Sequence, residues 1–226
     1  MKSVLVTGGN GFIASHLIKK LLDEKQRVIA VDIHPKPGKL LRTLRSENLD
    51  NLKYVQADIS RDLSVIDSLV SSCGLVYHFA ALVGIPNYLQ KPSELFNVNV
   101  VGSKVIIESC IKHEKRILFA STSEIYGKNP TVPWHEDADR ILGSTSVNRW
   151  NYSSSKATIE HLLFANEGIL DFRIVRYFNI YGPGQNPIFL VSRSIHRAIN
   201  NTEILLYDGG DQTRCLTYID LSLIHI

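Results

Sequence analysis

The tightest constraint on this chain lies at its start, in the run Val4-Leu-Val-Thr-Gly-Gly-Asn-Gly-Phe-Ile-Ala-Ser-His-Leu17. An apolar segment, Val4 to Val6, enters a cluster of glycines, Gly8, Gly9 and Gly11, which opens directly into an amphipathic segment, Phe12 to Leu22. The reading is strand, tight turn, helix. Glycines there let the backbone bend sharply and approach a ligand, and the N–H groups and positive dipole end of the following helix attract a pyrophosphate. A glycine triplet alone is weak evidence, so the rest of the chain must supply the context.

With 226 residues the chain can bury one substantial core, and a composition of 44% hydrophobic and 21% charged residues excludes the disordered and collagen-like classes. A formal charge of +3, with no block of Lys or Arg, gives no case for nucleic acid as a partner and leaves a small anionic ligand open. Cys73, Cys110 and Cys215 are few, odd in number and without metal-ligand spacing, which fits reduced thiols better than a disulfide framework. No apolar run approaches the roughly 20 residues that span a bilayer, and residues 1–20 lack the layout of a signal peptide. The expectation is a cytoplasmic protein with no membrane partner and no metal.

Arg27-Val-Ile-Ala-Val-Asp32 is a β-branched run closing on an acid, about 20 residues past the glycines, where a dinucleotide fold places its ribose-binding carboxylate. Residues 33–52 read as a loop with a short helix, and Leu52 to Ala57 as a strand closing at Asp58 and Ile59. Ser60 to Val70 reads as a helix with an N-cap signal, Leu75 to Ala80 as a buried strand, and Pro92 to His113 as one long helix. Arg116 to Ala120 is the next strand and runs into Ser121-Thr-Ser-Glu-Ile-Tyr-Gly127. Strands and helices alternating at this spacing predict an α/β fold: a parallel, doubly wound sheet with helices on both faces and ligands at the carboxyl ends of its strands. Residues 128–149, rich in Pro, Asp, Gly and Ser, read as an irregular surface loop and a candidate lid. Beyond it come a helix from Tyr152 to Asn166, a strand from Phe172 to Tyr177, a break at Asn179 to Gly184, a helix from Ile188 to Asn200, and a short strand from Glu203 to Tyr207.

Tyr152 and Lys156, four residues apart on a predicted helix, share a face. An ammonium beside the phenol favours the phenolate, lowering a pKa that starts at about 10, and the tyrosine can then serve as acid or base. The same pair also occurs on exposed helices with no chemical role, so its neighbours decide.

Those neighbours are Thr7 to Leu17, Asp32, Asp58-Ile59, His78-Phe-Ala-Ala81, Ser121 to Gly127, Tyr152-x-x-x-Lys156 and Arg176-Tyr-Phe-Asn-Ile-Tyr-Gly-Pro183. In order and spacing the set resembles the extended short-chain dehydrogenase/reductase family, the nucleotide-sugar epimerases, dehydratases and decarboxylases. The resemblance covers residues 1–220, with Ala14 where the third glycine of the fingerprint usually stands. It implies a Rossmann-type NAD-binding domain over 1–178 that carries the catalytic residues, and a substrate-binding part over 179–226. NAD would be held by Gly8, Gly11, Phe12, Ile13, Asp32, Asp58, Ile59, Ala80, Ala81, Tyr152 and Lys156. Asp32 would take the adenosine ribose, where a carboxylate repels a 2′-phosphate.

The catalytic set the resemblance implies is Tyr152, Lys156, Ser123, Thr122 and Glu124. Tyr152, as phenolate, takes the proton of the sugar 4-hydroxyl while the C4 hydride passes to NAD⁺, and Ser123 or Thr122 hydrogen-bonds the same oxygen. The resulting 4-ketone leads to CO₂ loss from a C6 carboxylate, to dehydration if Glu124 removes the C5 proton, or to epimerisation if the sugar turns before the hydride returns. Ser121-Thr-Ser-Glu124, the Arg149-Trp150 pair and the stretch 83–92 look most like UDP-glucuronate decarboxylases, so decarboxylation is the expected outcome. A UDP-glucose-type 4-epimerase or a 4,6-dehydratase is the alternative. A non-catalytic dinucleotide-binding regulator is the alternative of another class, for which the Ser/Thr pair, Tyr152 and Lys156 would be superfluous. Asn179 and Arg214 match positions that contact the sugar diphosphate in relatives, and His78 is read as structural. Family members often form homodimers through a helix pair. Relatives are longer, so the resemblance also implies that the chain is a fragment or has an altered end after Asp220, with an incomplete substrate part.

Overall fold

The computed structural model describes residues 3–44, 49–206 and 208–224. The chain divides into two compact units, Met1–Arg176 and Tyr177–Ile226. The strands β1 (Ser3–Thr7), β2 (Val28–Asp32), β3 (Leu52–Gln56), β4 (Cys73–His78), β5 (Arg116–Thr122) and β6 (Phe172–Tyr177) form one sheet in the order β3-β2-β1-β4-β5-β6. The pairs β1–β2, β2–β3, β1–β4 and β4–β5 are parallel. The order reverses between β1 and β4, which opens the crevice where such sheets bind ligands. The expected α/β, doubly wound architecture is therefore the observed one.

The helices of the first unit are α1 (Phe12–Asp23), α2 (Gly38–Leu44), α3 (Leu63–Ser72), α4 (Ile85–Gln90), α5 (Pro92–Phe96), α6 (Ser103–Lys112) and α7 (Asn151–Phe164). Alternation along the strands feeds both faces of the sheet. Leu5, Ile29, Val31, Val76, Ile117 and Phe119 pack with Ile66 and Val70 of α3, Ile106 and Ile107 of α6, and Ile159 and Leu163 of α7. The alternate residues Val4, Val6, Val28 and Ala30 are also buried, and α1 lies against β1 and β2 with Ala14, Leu17, Ile18 and Leu21 buried. Ala14 is small enough to keep that helix close to the strands.

In the first unit three local readings change, and a fourth, the irregular loop over 128–149, holds. The helix expected from Ser60 begins at Leu63, because the Asp58 carboxylate accepts the Ser60 N–H at 2.8 Å and its hydroxyl at 2.7 Å and so uses the capping signal in a turn. The single helix expected over 92–113 is α5 and α6 joined by one π-helical stretch, Asn97–Gly102. There Asn99 is fully buried and its side chain bonds the Leu82 backbone on both sides, accepting from N–H at 2.7 Å and donating to C=O at 3.2 Å. A π stretch with such a task commonly marks a functional region. α4 was not expected; Pro86 sits in its first turn, where no N–H is needed. The 128–149 loop is irregular but stapled: the Lys128 N–H donates to Ile141 C=O at 2.6 Å, and Trp134 stacks on Tyr126 at 4.9 Å while donating to Asn129 C=O at 3.1 Å.

In the second unit β7 (Ile180–Tyr181), inside the expected break, pairs in parallel with β8 (Thr217–Tyr218), and α8 (Leu190–Ile199) and α9 (Ile219–Ile224) are its helices. The strand expected from Glu203 does not form over 203–206, where the described residues supply no pairing strand and Ile204 and Leu205 stay exposed. Tyr207 lies outside the described residues.

Gly102 fixes how closely the π stretch meets the strand end at Ile59: a Cβ there would lie 2.6 Å from Ile59 Cγ1. Gly102→Ala should destabilise the protein by about 1–3 kcal/mol, the usual cost of overpacking. Adding Ile59→Val should recover part of it. Urea unfolding of both variants checks this.

Candidate functional site

The glycine loop is shaped as the sequence suggests. Gly8 has φ +69°, and a Cβ there would sit 2.8 Å from Ala80 N. The Gly11 N–H donates to Gly8 C=O at 2.8 Å, and the Gly9 N–H to Val31 C=O at 3.0 Å. The turn thus lies bare against the ends of β2 and β4, with Phe12 and Ile13 half-buried at the start of α1. A backbone cradle that side chains would fill suits a pyrophosphate.

Asp32 ends β2 beside it. Its Oδ2 accepts the Asn10 N–H at 3.0 Å, while Oδ1 accepts the His34 N–H at 3.1 Å and lies 2.7 Å from His34 Nδ1. The Asn10 side chain in turn accepts the Lys39 and Leu40 N–H groups at 2.9 and 3.0 Å. Asp58, at the end of β3, is held in its own turn, and Ile59 is buried in the core. Ala80 and Ala81, half-buried, follow β4.

Beneath these strand ends lies His78, fully buried. Its Nδ1 is 2.7 Å from Thr7 Oγ1 and its Nε2 is 2.8 Å from Ser103 Oγ. The same Thr7 hydroxyl accepts the Ala80 N–H at 3.2 Å. Burial, assisted by Lys156, pushes the imidazole down to about 3, so it is neutral and structural.

The catalytic candidates meet where β5 runs out toward α7. Thr122 Oγ1 caps the turn Ser123–Tyr126 by accepting the Glu124 N–H at 3.2 Å. Tyr152 and Lys156 rise from α7, 8% and 2% exposed. Lys156 Nζ donates to Ala120 C=O at 2.7 Å and lies 4.6 Å from the centre of the Phe119 ring. The electrostatics differ from the simple expectation of a lysine that acidifies the tyrosine. Burial first, then Tyr88 and Glu124, raise the Tyr152 pKa well above its ordinary value, and a hydrogen bond with Thr122 only partly opposes them. Burial lowers Lys156 to about 7 against the opposing pull of Glu160. Burial therefore disfavours the charged form of both side chains.

Sequence reasoning missed several supporting groups. Glu160, 4% exposed, receives the Ser121 hydroxyl and a fork from Arg176, whose Nη2 lies 2.7 Å from Oε2. Its spacing of four residues from Lys156 was a usable signal. Asn99 and Tyr88 carried none, since each depends on a turn of chain that periodicity does not describe. Glu124 is ion-paired with Arg149. In the second unit, Asn179 Nδ2 donates to Cys215 C=O at 3.1 Å, and Arg214 is exposed, its guanidinium reaching Thr213 C=O at 2.7 Å and Gln212 Oε1 at 3.1 Å.

The NAD dependent epimerase/dehydratase family matches residues 4–220, and the chain belongs to that family. It is 39% identical over 223 residues to a UDP-N-acetyl-alpha-D-glucosaminuronate decarboxylase of Bacillus cytotoxicus, covering 96% of this chain and 68% of that protein. Among solved structures it is similar to a UDP-N-acetylglucosamine 4-epimerase from Methanobrevibacter ruminantium in complex with UDP-N-acetylmuramic acid, at a TM-score of 0.86 and 29% identity, covering 99% of this chain and 71% of that one. It is also similar to a dTDP-glucose 4,6-dehydratase from Streptomyces venezuelae with NAD bound, at a TM-score of 0.85 and 26% identity, covering 98% and 70%. The protein is an NAD-dependent enzyme of nucleotide-sugar modification, and the glycine cradle fits that cofactor. Among the described residues no helix is long and apolar enough to cross a membrane.

A lysine whose folded pKa lies below its unfolded value binds fewer protons when folded, so stability rises with pH between about 7 and 10.5. Urea unfolding of the NAD-free protein should show this rise from about pH 7 to 8.5, below the range where the raised thiols of buried Cys73 and Cys110 oppose it, by at most ~1.4 kcal/mol per pH unit, and Lys156→Met should flatten it.

Proposed function

We propose that the protein removes CO₂ from a UDP-hexuronic acid by way of a 4-keto sugar. The observation that carries this reading is the Arg149–Glu124 ion pair. Dehydration needs a carboxylate that takes the C5 proton, and Glu124 is engaged; a β-keto acid loses CO₂ without a base. The likeness to a UDP-hexuronate decarboxylase supports the same choice. UDP-glucuronate, as well as its 2-acetamido counterpart, is the substrate class.

In this reading Tyr152 exchanges the proton of the sugar 4-hydroxyl, Ser123 or Thr122 holds that oxygen, and Lys156 sets the charge beside the phenol. NAD⁺, when bound, would supply a reversible hydride acceptor for C4 of the sugar. Gly8, Gly11, Phe12 and Ile13 would cradle its pyrophosphate, Asp32 would take the adenosine ribose, Asp58 and Ile59 would flank the adenine, and Ala80 and Ala81 would line its path. Residues 1–178 act as the NAD-binding domain, and 179–226 bring Asn179 and Arg214 to the sugar diphosphate. We further take the protein to be a cytoplasmic homodimer. Free Cys73, Cys110 and Cys215 support the compartment, and the exposed apolar side chains of Val101, in the π stretch before α6, and Phe164, at the end of α7, support the interface. Sedimentation should give twice the chain mass; a monomer at micromolar concentration overturns that part.

Incubation with UDP-glucuronate, UDP-N-acetylglucosaminuronate and UDP-glucose, followed by mass analysis, should give loss of CO₂ from an acid and no product from UDP-glucose. Loss of water or an unchanged mass with a new sugar overturns the choice. Tyr152→Phe should lower kcat by about 10²–10⁴-fold with NAD binding retained.

A further inference from the structure

Tyr88, on α4, lies face to face with Tyr152, with ring centroids 4.7 Å apart and planes 5° from parallel. It is 3% exposed and, with Leu95 and Tyr152, forms a small buried cluster of its own. Both approaches to this contact are fixed. The chain leading into α4 is held by the two Asn99 bonds to Leu82, and Asn87 Nδ2 donates to Val83 C=O at 2.7 Å. Arg149 lies over the Tyr88 ring, 5.9 Å from its centroid, and over Trp150 at 5.7 Å, while its guanidinium is paired with Glu124. Contacts thus run from the turn after β5, through Arg149 and Tyr88, to the face of Tyr152.

A phenol swings about two side-chain torsions, and proton transfer requires its hydroxyl at one place and angle. A parallel ring packed at this separation removes the swing, and misplacement of a reacting group by about 1 Å can cost 10²-fold in rate.

We propose that Tyr88 is a positioning residue that clamps the plane of the Tyr152 phenol, braced by Arg149 and its ion pair with Glu124. The proposal rests on the reading of Tyr152 as the acid and base of the reaction. The groups that face Tyr152 are the Tyr88 phenol from α4, Thr122 and Glu124 from the end of β5 and its turn, and Lys156 one turn along α7. Burial, Tyr88 and Glu124 raise the Tyr152 pKa and Thr122 lowers it, so removing the Tyr88 ring admits water and lets the hydroxyl titrate lower.

The test uses Tyr88→Phe and Tyr88→Leu, each also combined with Tyr152→Phe. Near-ultraviolet tyrosinate absorbance after a rapid pH jump, taken as the difference between each protein and its Tyr152→Phe partner, isolates the Tyr152 titration. Tyr152 should titrate above the ordinary range in the parent and in Tyr88→Phe, and markedly lower in Tyr88→Leu. In turnover, Tyr88→Leu should lower kcat by about 10–100-fold with the Kd for NAD unchanged, and Tyr88→Phe should restore most of it. Unchanged titration and unchanged kcat in Tyr88→Leu overturn the clamp. If the parent turns over no UDP-sugar, the functional reading fails while the titration still decides the clamp. Should Tyr88→Leu not fold, Arg149→Gln at its half-exposed site serves both readouts: a smaller shift in the same direction supports the brace, and no shift in either overturns the proposal.

Discussion

The site depends on one buried, neutral imidazole. His78 joins Thr7, at the end of β1, to Ser103, at the start of α6, and Thr7 passes the connection to the Ala80 N–H. The glycine turn, the end of β4 and the helix behind it are thereby fixed to each other at the place where the sheet order reverses. Burial keeps the ring uncharged, so each nitrogen has one partner and no buried charge is left over. Asn99 repeats the device one turn earlier on the same helical run, bonding both the N–H and C=O of Leu82.

The catalytic side chains live under the opposite condition, since both are buried where their charged forms are disfavoured. Desolvation is the largest influence on each, which is why burial favours the neutral form of both. Glu160 opposes this on the lysine side, and Arg176 and Ser121 hold Glu160 in place. A buried ion pair of this kind contributes little net stability, though losing one partner would be costly. Its effect here is to set the charge four residues away.

Much of the fold was legible because it is written in short range. Strand alternation, the glycine turn and the acid closing β2 each need only a few neighbouring residues, and the parallel, doubly wound character of the sheet follows from helices alternating with strands. The misreadings have two causes: Ser60 bonds the neighbouring Asp58 carboxylate, a local turn that competes with helix capping, and Asn99, in the π turn that interrupts the long helix, bonds Leu82 far from it in sequence. Glu203 to Leu206 has strand-like residues but no paired strand.

The sequence by itself determined a parallel α/β sheet with a dinucleotide turn, and a tyrosine and a lysine on one face of a helix, because periodicity and spacing of four are local geometry. Only the tertiary structure decided how those two residues are charged, that Glu124 is paired with Arg149, and that Tyr88 covers Tyr152. Burial and contact between residues more than twenty positions apart are properties of the packed chain, and spacing does not encode them.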